Sequence, residues 1–91
     1  MNLEITKINI LPIDGIKNCV AIVQLELNEC IRLTGIKLFY NEKRDQYHVE
    51  YPVNLSNKNR RPYYYPSNPE TTEMFNDVII KAYHEQIEFE G

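Results

Sequence analysis

The densest chemical signal in the chain is the segment Lys58-Asn59-Arg60-Arg61-Pro62-Tyr63-Tyr64-Tyr65. Arginine presents a planar fork of N–H donors that matches phosphate oxygens, and a tyrosine ring can stack on an unpaired base. Cations followed directly by phenols is the combination that contact with a nucleic-acid backbone or a single strand needs. The same residues also have a plain use. In a short edge strand over 60–65, alternating tyrosines would pack inward and against a helix, and the arginines would serve solubility. Lys37, Lys43 and Arg44 extend the basic patch if their strands neighbour this segment. The candidate interface is therefore Lys58, Arg60, Arg61, Tyr63 and Tyr65, joined by Lys37 and Arg44.

Catalysis has less to stand on. The only histidines are His48 and His84, and the chain has three glycines in all, too few for a Gly-rich phosphate loop. Cys19 and Cys30 form no CxxC and have no histidine at metal-ligand spacing, and no Ser or Cys sits in a nucleophile motif. His48 falls on the polar side of a strand pattern and His84 lies beside a helical stripe, so both fit surface roles. Glu85 and Glu88 fit a solvated helix face. The expectation is a non-enzymatic protein with no cofactor and no metal.

Charge sharpens the choice of face. The net charge is −3, from ten basic and thirteen acidic side chains, which argues against nonspecific nucleic-acid binding through bulk charge. The distribution is uneven. Residues 1–31 hold two bases against four acids, net −2; residues 32–61 hold seven against three, net +4; residues 62–91 hold one against six, net −5. A basic middle and an acidic tail predict two unlike faces, with any nucleic acid approaching from the sheet or loop side. The acidic face is either simply solvated or a dock for a basic protein.

Ninety-one residues, 43% of them hydrophobic and 25% charged, describe one small folded domain spanning 1–91. No basic segment followed by an apolar run opens the chain, and no apolar stretch approaches the 18 or so residues of a membrane span. A cytoplasmic protein with reduced thiols and no membrane partner is expected.

The elements that must position the candidate residues read as strands first and a helix last, the α+β order. Residues 3–11 are an Ile-rich strand whose apolar face changes between Ile5 and Ile8, which either a bulge or burial of both faces near the end would reconcile. Pro12 to Gly15 form a turn. Residues 18–27 alternate, with Val23, Leu25 and Leu27 inward and Gln24 and Glu26 outward. Asn28-Glu29 is a two-residue hairpin connection to a third strand over 30–40. That strand changes face at Gly35, which predicts another bulge. Residues 46–51 alternate Tyr47, Val49 and Tyr51 against His48 and Glu50, and Pro52 ends them. Residues 53–59 are a loop, and 60–65 are the short edge strand already considered. The helix, about 68–88, starts either with a Ser67–Glu70 capping box or with Asn68 as cap and Pro69 as first helical residue. Phe75, Val78, Ile79, Ala82 and Tyr83 form its apolar stripe; Glu73, Asp77, Lys81 and Glu88 lie off it. The expected architecture is an antiparallel sheet of about five strands, over 3–65, roofed by one C-terminal helix. An open sheet leaves unpaired edges, so a homodimer formed by edge pairing is expected as well.

The order of these landmarks resembles the SpoVG family of bacterial regulatory proteins. Ile5-Thr6-Lys7-Ile8 and Ile13-Asp14-Gly15 are similar to its opening strand and Asp-Gly turn, Cys19 to Leu27 to its second strand, and Leu33-Thr34-Gly35-Ile36-Lys37-Leu38 to its third. Tyr47 to Pro52, Arg61, Pro66, Val78, Ile79 and Tyr83-His84 continue the match, which covers about residues 4–86. The resemblance implies a homodimer acting in sporulation, septation or broader gene regulation and binding DNA or RNA. The family usually carries a Lys-Arg pair shortly after the strand-ending proline, where this chain has Asn54 and Leu55. Acids also replace basic residues near the family's helix. From those departures comes a second expectation, a protein-interaction module of the same fold that has lost nucleic-acid binding.

Overall fold

Alternation of apolar and polar residues in four successive segments gives four strands, and each pairs antiparallel with the one before it. The computed structural model describes residues 2–56 and 58–90, apart from the side chains of 88–90. β1 (Ile5–Pro12), β2 (Cys19–Leu27), β3 (Ile31–Asn41) and β4 (Gln46–Glu50) form one sheet in the order β1-β2-β3-β4. The chain closes with α1 (Pro69–Glu90). The domain is α+β, as its sequence predicts.

One sheet face is apolar and α1 lies on it. Ile10, Ala21, Val23, Leu25, Leu27, Ile36 and Leu38 from the sheet and Phe75 and Ile79 from the helix form the buried core. Tyr47, Val49, Tyr51, Ala82 and Tyr83 pack around it half-buried. Phe75 and Ile79 stand one turn apart on the same side of the helix, so a single stripe docks, while Glu73, Asp77 and Lys81 stay in water. The predicted position of Glu88's side chain lies outside the described residues. Asn68 caps the helix: its Oδ1 accepts from the Thr71 N–H at 2.7 Å, and Pro69 is the first helical residue. Of the two starts the sequence allowed, this is the one adopted.

Two of the three register shifts in the sheet fall where the sequence changes face. In β1 the register slips between Ile5 and Lys7, leaving Thr6 as the extra residue. Its hydroxyl accepts from the Glu29 N–H at 2.9 Å, tying the bulge to the β2–β3 turn. In β3, Thr34 and Gly35 together oppose Gln24, because Val23 pairs with Ile36 and Leu25 with Leu33. Gly35 has φ +82, and the Pro52 ring lies 3.6 Å from where a Cβ would stand. The third shift, between Cys19 and Ala21, was not anticipated.

The fifth strand is absent among the described residues. Residues 60–65 make a single bridge, Val53 with Pro62, supported by the Asn54 N–H donating to the Arg61 carbonyl (3.0 Å) and the Tyr63 N–H to the Pro52 carbonyl (2.8 Å). Prolines at 52, 62 and 66 remove the donors a longer ladder needs, and Arg60 sits at φ +47, which turns the chain out of the extended conformation. No described helix is long and apolar enough to cross a membrane.

Candidate nucleic-acid interface

The loop that replaces the expected strand folds back over the end of the β3–β4 hairpin. Tyr64 anchors it. Its hydroxyl donates to the Thr34 carbonyl at 2.5 Å, and its ring stands edge-on to Tyr51, centroids 5.8 Å apart. Burial raises the pKa of both phenols: Tyr64 is shifted up, and Tyr51 is pushed from 10.0 to about 12, with Tyr64 as a secondary cause. The Tyr51 hydroxyl is out of water and has no hydrogen-bond partner among the described residues. At the loop's far side Asn54 Oδ1 accepts from the Ser56 N–H (3.1 Å) and hydroxyl (2.6 Å), closing an Asx turn.

Between loop and sheet lies a groove of about 500 Å³, bounded by Gly35, Lys37, Glu50, Tyr51, Pro52, Val53, Leu55, Arg60 and Pro62. It opens on the sheet face opposite α1. Leu38 and Val49 are cross-strand partners facing the core, so their neighbours Lys37 and Glu50, also partners, point to the other side. Lys37 from β3 and Arg60 from the loop thus line one groove, although they lie 23 positions apart in sequence. The acidic residues of α1 lie across the sheet.

The other candidate residues are placed differently. Lys58 and Arg61 are exposed on the same loop, and Tyr63 and Tyr65 project into water with 69% and 62% of their surface exposed. Alternating tyrosines do not pack inward as an edge strand would require; the middle one, Tyr64, does so alone. Arg44 lies elsewhere. It sits in the β3–β4 turn, where Asn41 Oδ1 accepts from the Lys43 and Arg44 N–H groups at 3.0 and 3.3 Å. Lys37 is four strand residues from Asn41, so that turn is roughly 13 Å further along the hairpin. A second depression links the two ends: Lys17, Phe39, Lys43, His48 and Glu50 help to line it, and Glu50 belongs to both. His48 Nε2 is 3.3 Å from the Glu50 carboxylate.

Glu50, Pro52, Leu55 and Lys17 escaped the sequence reading as site residues. Only the strand alternation that puts Lys37 and Glu50 on one face could have hinted at the first. Near the turn, Tyr40 donates to Asp45 Oδ1 at 2.6 Å, and this bond raises the Tyr40 pKa to about 12. Tyr40, Tyr47 and Tyr83 form a chain of ring contacts at 4.9 and 5.9 Å, and His84 meets Tyr47 edge-on at 5.1 Å. That cluster fastens the hairpin to the helix; His84 also lies against the Tyr83 ring, and His48 against Phe39.

Compared with models of known protein families and with curated proteins, the chain matches none.

Proposed function

We propose that this protein is a cytoplasmic, homodimeric regulator of the SpoVG type that binds DNA or RNA, in sporulation, septation or another branch of gene regulation. The loop at Lys58–Tyr65 and its neighbour Lys37 are the binding surface. The observation that supports this most is the meeting of Lys37 and Arg60 at one groove, on the face turned away from the acidic helix. Phosphates would be held by Arg60, Arg61 and Lys37, which position the ligand without reading its sequence. The ordered likeness of residues 4–86 to the family supports the same reading.

Dimerisation follows from the open sheet. The Ile13 N–H donates to the Val20 carbonyl at 3.1 Å, so by alternation residues 7, 9 and 11 bond toward β2, while Ile8 and Ile10 direct their backbone groups to the free edge. Pro12, with no donor to lose, falls on that same edge. Two β1 strands paired about Asn9 would let Ile8 and Ile10 exchange hydrogen bonds across a twofold axis.

A second reading, the interaction module that has lost nucleic-acid binding, is favoured by Leu55, which is 78% exposed where the family usually carries a base. A mobility assay against DNA and RNA pools at several salt concentrations separates the two. Phosphate contact gives an affinity that falls steeply with salt, and Arg60→Ala with Arg61→Ala lowers both affinity and salt slope. No retardation by the unaltered chain, or unchanged binding in the double variant, removes the loop as a nucleic-acid surface.

A further inference from the structure

We infer that the groove at Lys37 and Arg60 receives one unpaired, amino-bearing nucleotide of a single strand, with its phosphate at the two cations and its base against Pro52, Leu55 and Pro62. The inference rests on the nucleic-acid reading above and specifies the form of ligand. Three features of the groove lead to it.

The first is size. At about 500 Å³ the groove falls in the range of roughly 300–1,000 Å³ that holds small-molecule-sized groups. A paired, stacked base cannot enter such a cleft, whereas an unpaired one can.

The second is the mixture of walls. Part of the lining is aliphatic, and Leu55 and the Pro62 ring offer the flat or apolar surface that a base covers. The rest includes Lys37 and its cross-strand partner Glu50 from the sheet, and Arg60 from the loop. A phosphate alone would meet that carboxylate unfavourably. A cytosine, adenine or guanine unit supplies an anion for the cations and an exocyclic amino donor for Glu50.

The third is the backbone of Arg60. It stands at φ +47, in the left-handed region that disfavours residues with a side chain. The bend it makes returns the chain from the loop tip to the Val53–Pro62 bridge and places Arg60 at the groove. Such a conformation occurs in plain turns, as at Asn28 and Glu29, and also at binding sites, and here it coincides with a groove.

The test is fluorescence anisotropy on the full chain with three probes: a short oligodeoxycytidine, an abasic oligomer with the same number of phosphates, and the oligodeoxycytidine annealed to its complement. Base lodging predicts that the single strand binds about tenfold or more tighter than the abasic oligomer, the scale of one buried base, and tighter than the duplex. The Leu55→Ser variant, which alters no charge, then narrows the gap between single strand and abasic oligomer. Equal affinity for single strand and abasic oligomer overturns the lodging but leaves phosphate binding standing. Preference undiminished in Leu55→Ser overturns the groove as the place. Binding of none of the probes sinks the nucleic-acid reading and this inference with it.

Discussion

Replacing Tyr51 and Tyr64 one at a time by Phe should move stability in opposite directions. The rings form one edge-on pair, and either substitution keeps that contact. The difference lies in the hydroxyls. Tyr64 donates to Thr34 at 2.5 Å, whereas the Tyr51 hydroxyl is shut away without a partner. A buried, unsatisfied polar group costs about 1–3 kcal/mol. Tyr51 as a whole is only half-buried, so the gain from Tyr51→Phe belongs at the lower end, about 1 kcal/mol. Tyr64→Phe forfeits a net hydrogen bond of about 1 kcal/mol; Thr34 is exposed and its carbonyl can turn to water. For a domain of this size 1 kcal/mol shifts Tm by about 4–8 °C. Urea titrations followed by circular dichroism, with thermal scans beside them, would measure both. A pH effect accompanies the first variant. Because the folded-state pKa of Tyr51 is raised from 10.0 to about 12, its contribution is intact below pH 10 and is lost as pH climbs through about 12, where the folded phenol also ionises. Tyr51→Phe should therefore show a shallower fall of stability across that window. A loss of stability in Tyr51→Phe as large as in Tyr64→Phe would refute the view that the hydroxyl is an orphan.

Two further outcomes are expected. Glu29→Gly should stabilise the chain by about 0.5–1 kcal/mol: Asn28 and Glu29 both have positive φ in the β2–β3 turn (51° and 57°), and relief of the left-handed cost exceeds the added freedom of the unfolded glycine. A lowered urea midpoint in that variant would mean that the Glu29 side chain stabilises the fold by more than the backbone strain it imposes. Light scattering on the purified chain at tens of micromolar should give the mass of two copies; monomer mass alone would contradict pairing through β1.

Much of the architecture could be read from apolar periodicity, because a strand facing a helix must alternate. Val23, Leu25 and Leu27 on one side, and Tyr47, Val49 and Tyr51 on another strand, left little freedom of register. Even the bulges at Thr6 and Gly35 were visible as changes of phase, since a single extra residue is the smallest repair. The Val20 bulge was hidden: the apolar run Cys19-Val20-Ala21-Ile22 looks the same on either face. The fifth strand failed for a different reason. Three tyrosines in a row carry high strand propensity, but propensity is local, and the surrounding prolines and the left-handed Arg60 decide the path. The candidate site was half legible. Composition marked Arg60, Arg61 and the tyrosines, yet only the fold-back of residues 52–62 could join Arg60 to Lys37 and leave Arg44 at the other end of the hairpin.

Because every strand in the sheet pairs with its immediate predecessor, no pairing has to wait for a distant part of the chain. Loop closure entropy is small at each step, and the three-residue Asn28-Glu29-Cys30 reversal, one residue longer than the sequence predicts, lets the central hairpin start within microseconds. Assembly can grow outward from β2 and β3 as a zipper, with the helix arriving last to dry the finished surface. Such short-range wiring places this chain on the quick side of small mixed domains, despite a sheet that supplies most of its core.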